Sequence, residues 1–326
     1  MKVFVTGATG FIGSAVTAEL MTAGHSVTAL ARSEEAAKAL SKKGIQPHPG
    51  NLDDMGSLRS AAAAADGVIH LAYMHGLGQI PFAQRLRVLL GGLPTSMVSR
   101  FLVVAAEADR CAIDALGGAL SGSGRPPVTT FGTLGLSHEG FRATKPAIEE
   151  DEPDPLSPGI DRARNEEKVE ALASLGVRAT MVRLAPSVHG EGDTGLVPQL
   201  IGIARKRGHS GYIGDGENRW PAVHLRDAGR LFRLALEKGV AGARYHGVGE
   251  EGIRFRSIAE TISRNLNVPA GSISAKEAAK QFSYFGGFAA TDNPSSSSRT
   301  REQLGWEPTG PGLLTDLNGP GYDATK

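Results

Sequence analysis

The sequence predicts a doubly wound α/β fold, a parallel sheet with helices on both faces, completed by a smaller second lobe. Three observations lead to it. The chain opens on an alternating run, Val3-Phe4-Val5, that breaks at Thr6-Gly7 into glycines at Gly7, Gly10 and Gly13 and resumes at helical spacing through Ala15, Val16, Ala18 and Leu20. Short apolar runs then alternate with helical stretches up to about residue 185. Finally, 326 residues suffice for a two-lobed domain, or two small domains, with a large core.

A chain that turns as sharply as residues 6–14 needs positions without a Cβ, and glycine also lets the backbone approach a pyrophosphate seated on a helix N-terminus. With 43 glycines in the chain, a triplet alone would mean little. Its place decides the matter: it follows a strand, opens a helix and precedes a second strand at Ser26 to Leu30. Gly7, Thr9, Gly10, Phe11, Ile12 and Gly13 are therefore the expected phosphate-binding residues of a dinucleotide-binding βαβ unit. The spacing, Gly-x-x-Gly-x-x-Gly after Thr, resembles the short-chain dehydrogenase/reductase (SDR) superfamily, in particular its extended, epimerase-like branch. That resemblance implies a Rossmann domain over 1–185 and about 222–248, and a substrate-binding lobe over about 186–221 and 249–326.

The formal charge is +1, without a basic run or an aromatic-interleaved basic patch, so no nucleic-acid partner is expected. The one cysteine, Cys111, excludes an internal disulfide and lies in an apolar helical pattern where a buried thiol is expected. The first residues enter a core strand at once, leaving no room for a signal peptide, and no apolar run approaches membrane-spanning length. A cytoplasmic protein without membrane association or bound metal is the expectation.

The second strand ends at Arg32-Ser33. An acid there would suit the ribose hydroxyls of NAD, whereas a cation and a hydroxyl suit the 2′-phosphate of NADP, so NADP is expected in preference to NAD. Glu34 and Glu35 read as first-turn helix residues. After a short third strand comes Gly50-Asn51-Leu52, where the resembled family has Gly-Asp-Leu with the acid facing the adenine amine; the Asn51 amide can still accept from that amine. An alanine-rich helix, Leu58 to Ala65, leads to a buried parallel strand, Gly67 to Ala72. Its end, His70-Leu71-Ala72-Tyr73, resembles the family's segment beside the adenosine ribose, with Leu71 and Ala72 as contacts and His70 as a packed strand residue. Phe82 to Leu90 and Val98 to Leu120 carry helical periodicity, and the resemblance implies a possible homodimer through them.

The fifth strand, Val128 to Phe131, runs into Gly132-Thr133-Leu134-Gly135. In the SDR family a serine near this strand's end, a tyrosine, and a lysine four residues later form the catalytic set; the tyrosine passes the proton while the lysine lowers its pKa. Aligned on Glu170-Ala171-Leu172, the tyrosine position falls on Arg162, the lysine position on Glu166, and the serine position on Phe131, beside Thr130 and Thr133. No tyrosine occurs between Tyr73 and Tyr212, so no shift of alignment restores one. Arginine does not release a proton near neutral pH, and a glutamate opposes the help that a lysine gives. Either Arg162, Arg164 and Glu166 form a salt-bridged helix surface, or Arg162 turns to the cofactor and orients an anionic or carbonyl group of the substrate. Such departures characterise atypical SDR proteins.

Past a sixth strand, Arg183 to Gly190 resembles the family's Arg-Pro-x-x-x-Tyr-Gly, placing Pro186 against the nicotinamide and His189 where a tyrosine is common. Tyr212 to Gly216 reads as strand and turn, and Val223-His224-Leu225-Arg226-Asp227 resembles Val-His-Val-x-Asp, with His224 and Asp227 in structural roles. Ile253 to Leu266 is helical. Phe282, Tyr284, Phe285 and Phe288 either line an apolar substrate pocket or form the core of the lobe. Leu304-Gly305-Trp306-Glu307-Pro308 resembles the terminal family motif, and the residues after it are expected to be loose.

The expected function is an NADP-dependent oxidoreductase acting on a small or medium carbonyl or hydroxyl compound. Its proton route would draw on Thr130, Thr133, Tyr73, His138, His189, Tyr212 or water. An isomerase or lyase that keeps NADP without net redox, and a regulatory protein that senses NADP, are the alternatives.

Overall fold

Val3, Phe4 and Val5 lie in an interior strand of a seven-stranded sheet in the computed structural model of the chain, which describes residues 1–93, 96–137, 142–282 and 286–322. The strands are β1 (Lys2–Thr6), β2 (Ser26–Ala31), β3 (Gln46–Pro49), β4 (Gly67–His70), β5 (Pro127–Gly132), β6 (Thr180–Leu184), β7 (Ser187–His189), β8 (Ser210–Ile213), β9 (Arg219–His224), β10 (Arg244–Gly247), β11 (Glu250–Arg254) and β12 (Ala270–Ile273). The large sheet runs β10-β6-β5-β4-β1-β2-β3, and β1 pairs in parallel with both β2 and β4. Consecutive strands step outward in opposite directions from β1. This reversal is where a doubly wound sheet opens a ligand crevice at its carboxyl edge.

The chain divides into two compact units. Unit 1 holds Met1–Phe131, Asp161–Val182 and Gly229–Tyr245; unit 2 holds Gly132–Ile160, Arg183–Ala228 and His246–Lys326. Residues 132–160, which the sequence assigned to the nucleotide domain, thus group with unit 2.

In unit 1 the sheet is flanked by α1 (Phe11–Thr22), α2 (Glu34–Lys42), α3 (Met55–Ala63), α4 (Phe82–Leu90), α5 (Met97–Gly118), α6 (Ile160–Ala163), α7 (Glu166–Ser174) and, later in the chain, a helix over Leu225–Lys238. The four residues of β4 are all buried, as a strand covered on both faces requires. Phe4, Leu58, Val68, Ile113, Leu116, Phe131, Val169, Leu172 and Met181 make one core. Met74, Ile80, Val88, Val104 and Ala105 make a second one, against which Tyr73, Met97 and Phe101 pack.

Cys111 is exposed rather than buried. The stripe of α5 that faces inward runs through Ala105, Asp109, Ala112, Ile113 and Leu116, and Cys111 lies off it. Among the described residues no helix is long and apolar enough to cross a membrane.

Unit 2 contains a three-stranded sheet, β11-β9-β7, and a two-stranded one, β12-β8. Its helices are α8 (Leu196–Arg207), the start of α9 (Leu225–Lys238), α10 (Phe255–Leu266), α11 (Ala275–Phe282), α12 (Gly286–Ala290), α13 (Ser298–Leu304) and α14 (Leu313–Leu317). The expected helix from Ile253 begins two residues later because Ile253 and Arg254 pair with Trp220 and Arg219 in β9. Phe282 is buried in the core with Trp220 and Phe255, and Phe288 packs against that core, so these two aromatics are structural; Tyr284 and Phe285 lie outside the described residues.

The tail is not loose as expected. Leu313, Leu317 and Tyr322 are buried in the same core. It is held by Asp227, whose carboxylate accepts from the amides of Thr309 at 3.0 Å and Gly310 at 2.8 Å, while the indole of the fully buried Trp306 donates to the Asp227 carbonyl. A Cβ at Gly310 would lie 2.5 Å from that of His224, so only glycine fits this crossing. Of the last residues, 323–326 lie outside those described.

Asp227→Ala leaves two partly buried amides without acceptors, and urea unfolding should show it about 2–3 kcal/mol less stable than the wild type. A loss within the error of the extrapolation would mean that the carboxylate does not anchor the tail.

Candidate cofactor and proton-transfer site

The glycines of the opening loop are required for different reasons. Gly7 has φ +76°, and a Cβ there would stand 2.8 Å from the Ala72 amide nitrogen at the end of β4. At Gly13 a Cβ would stand 2.0 Å from the Gly7 carbonyl oxygen, so α1 can leave β1 this closely only through glycine. Gly10, at the N-cap of α1, donates its amide to the Gly7 carbonyl at 3.0 Å and has no side chain to cap the helix. The amides of Phe11, Ile12 and Gly13 therefore begin the helix without intrahelical partners, beside the exposed Thr9 and Gly10. A helix start with unpaired amides and positive dipole suits an anion, and a pyrophosphate fits it.

At the end of β2 Arg32 is exposed, and Ser33 caps α2 by accepting from the Ala36 amide at 3.2 Å. Glu34 and Glu35 are exposed in the first turn of α2; the Glu35 carboxyl is held below its ordinary value by its backbone hydrogen bonding and by Ser33. Asn51 differs from its expected role. Its side-chain oxygen already accepts from the amides of Asp53 at 2.9 Å and Asp54 at 3.1 Å, a turn that leaves it as a donor rather than an acceptor. Leu52 is half-buried and packs against both cores of unit 1.

Beyond the loop, the ends of β4 and β5 carry a buried polar network. The Leu71 amide donates to the Thr6 carbonyl, and the Ala72 amide donates to the Thr6 hydroxyl at 3.2 Å. That hydroxyl also lies 2.7 Å from His70 Nδ1, and His70 Nε2 faces Asp109 Oδ1 at 3.3 Å. Asp109, 1% exposed, also accepts from Asn165 at 3.1 Å and lies 3.8 Å from Arg162 Nε. Burial pushes its carboxyl up, but the Arg162 charge and His70 together bring it below its ordinary value.

Arg162 is thereby turned inward. It donates from Nη2 to the Thr130 carbonyl at 2.7 Å, and its guanidinium carbon lies 4.1 Å from the centroid of the Tyr73 ring. The expected salt-bridged surface does not form: Arg164 approaches Asp161, and Glu166 approaches Arg244. The helix expected to carry the tyrosine and lysine positions is also broken, with Arg162 in α6 and Glu166 opening α7. Between them Asn165, buried, donates to the Ala106 carbonyl and to Asp109. Asp109 and Asn165 had not been singled out from the sequence, although an acid on the apolar stripe of α5 was a visible signal.

Of the other candidates, Thr130 donates its hydroxyl to the His70 carbonyl at 2.9 Å. Thr133, His189, Tyr212 and Pro186 belong to unit 2. Thr133 is fully buried and donates to Asn293, His189 is buried and paired with Asp316 at 2.8 Å, and Pro186 is half-buried. Tyr212 packs against the unit 2 core, with Arg256 5.5 Å from its ring centroid. His138 lies outside the described residues, among which no cluster of three or more potential metal ligands occurs.

Residues 3–83 match the NAD dependent epimerase/dehydratase family. The uncharacterized protein C2A9.02 of Schizosaccharomyces pombe is 42% identical, over 99% of this chain and all of its own length. The decarboxylating sterol-4-alpha-carboxylate 3-dehydrogenase of Dictyostelium discoideum is 27% identical over 78% of this chain and 73% of its own. Among solved structures, a DesIV double mutant (dTDP-glucose 4,6-dehydratase) from Streptomyces venezuelae with NAD bound superposes with a TM-score of 0.74 over 100% of this chain and 96% of that one, at 18% identity.

Since Asp109 ionises below its ordinary 3.8 in the folded chain, it adds stability that is complete above that value and lost as the pH falls through the lower folded one. Asp109→Asn should be about 1–3 kcal/mol less stable at neutral pH by urea unfolding. The gap to the wild type should close below pH 3.8; a gap independent of pH would contradict the ionised pairing.

Proposed function

The chain belongs to the NAD dependent epimerase/dehydratase family of extended short-chain dehydrogenases/reductases, and from that premise we propose that it is an NADP-dependent oxidoreductase acting on a small or medium carbonyl or hydroxyl compound. The observation that carries the reading is the opening loop, where a turn that needs glycine at Gly7 and Gly13 starts α1 with amides that have no intrahelical partner. Arg32 and Ser33 favour the 2′-phosphate: they offer a cation and a hydroxyl where NAD binders of this fold place an acid. The dehydrogenase named among the relatives supports carbonyl and hydroxyl chemistry.

A bound nicotinamide cofactor supplies the hydride donor or acceptor; the chain supplies binding, orientation and a proton route. In this reading the amides of Phe11, Ile12 and Gly13 hold the pyrophosphate. Thr6 fixes the Ala72 backbone beside the loop, and Arg162, held by the Thr130 carbonyl, supplies a cation for charge that develops on a substrate oxygen.

Calorimetric titration should give saturable binding, tighter for NADPH than for NADH. Arg32→Ala should cost about tenfold to a hundredfold in NADPH affinity, the worth of one charge-assisted contact, and leave NADH unchanged. Equal affinities in the wild type would remove the NADP assignment. Binding of NADPH without a change in nicotinamide absorbance across a panel of aldehydes, ketones and alcohols would count against the redox reading.

A further inference from the structure

Resting on the oxidoreductase reading, we propose that Tyr73 is the proton donor of this enzyme, with Arg162 as the cation that supports its phenolate and Asp109 as the residue that positions Arg162. Tyr73 directly follows Ala72, whose backbone is tied to Thr6 and abuts Gly7, so its place beside the glycine loop is fixed. The guanidinium lies 4.1 Å from its ring centroid and is itself immobilised by the Thr130 carbonyl and Asp109. The cation therefore holds its geometry without reorganising when charge appears on the phenol.

The hydroxyls around it are otherwise engaged. Thr130 donates to the His70 carbonyl, and the Thr6 hydroxyl is held by Ala72 and His70. Among the described residues the Tyr73 hydroxyl has no hydrogen-bond partner, which leaves it available to an incoming oxygen.

In the reduction, a C–H bond forms at the carbonyl carbon with the hydride that reduced nicotinamide supplies, and the carbonyl π pair moves onto oxygen. The Tyr73 O–H bond breaks as its proton passes to that oxygen, giving the alcohol. The phenolate left behind faces Arg162 and takes a proton from water. Carbonyl, reduced cofactor and one proton thus become alcohol and oxidised cofactor.

The same surroundings set a direction. Burial pushes the Tyr73 phenol up, to about 12; Arg162 lowers it, and Asp109 and Asp161 raise it. The other titratable neighbour, His75, meets its ring edge at 5.3 Å and is held below its own ordinary value by burial and by Arg162. Protonated at neutral pH, Tyr73 is equipped to donate. Alcohol oxidation would need the phenolate, so its rate should climb about tenfold per pH unit above neutrality while reduction stays level.

The test has two arms. Fluorine NMR of the cofactor-free chain carrying 3-fluorotyrosine, with Tyr73→Phe assigning the resonance, reads the phenol directly. Arg162→Gln should move its titration upward and Asp109→Asn downward, opposite signs that a merely structural role would not produce. An unmoved titration, or shifts of the same sign, overturns the proposal. In turnover with NADPH and ethyl acetoacetate or benzaldehyde as carbonyl probes, Tyr73→Phe should lose about a hundredfold or more in kcat while NADPH affinity stays within about twofold. A fully active Tyr73→Phe overturns the assignment alone. A wild type that binds NADPH but reduces no carbonyl overturns the oxidoreductase reading and the donor role with it, even where the two titration shifts are found.

Discussion

The start of α1 passes so near the end of β1 that a Cβ at Gly13 would stand 2.0 Å from the Gly7 carbonyl oxygen. Everything proposed for this protein depends on that contact. It aims the first amides of α1 at the carboxyl edge of the sheet, at the point between β1 and β4 where the strand order reverses. Through Gly7 it also presses the loop against Ala72, so the segment that carries Tyr73 is placed by the same packing that makes the anion cradle. The proposed binding and the proposed chemistry thereby share one rigid junction rather than separate loops.

The second organising feature is a buried charge balance around Asp109. Burying Asp109 on the apolar stripe of α5 would be costly alone. The hydrogen bond from Asn165 and the charge of Arg162, with His70 3.3 Å away, offset that cost. The arginine so held lies 4.1 Å from the centroid of the Tyr73 ring. In the standard arrangement a tyrosine and a lysine share one helix; here a strand end supplies the phenol and a short helix the cation.

Much of this was legible in the chain. The βαβ opening, the burial of β4 and the terminal Leu-Gly-Trp motif are local patterns, and period, glycine placement and turn chemistry report them directly. The substitution at Arg162 was equally visible, because an expected tyrosine was missing from a long stretch. What Arg162 touches was not. Asp109 is distant from it in sequence, and only the packing of α5 beside the strand ends brings the pair together. For the same reason Asn51 looked like a ligand group until its oxygen proved to be closing its own turn, and Cys111 looked buried until the register of α5 placed it outside. The tail misled because glycine and proline near a terminus suggest looseness, whereas Leu313, Leu317 and Tyr322 supply enough apolar surface to dock it.

All of this requires a phosphate-bridged nicotinamide cofactor on the backbone amides that open α1. The decisive measurement is amide NMR of the uniformly labelled chain titrated with NADPH. Saturable shifts are expected at Gly10, Phe11, Ile12 and Gly13, together with Ala72. Amides that remain unmoved there at saturating NADPH would contradict it.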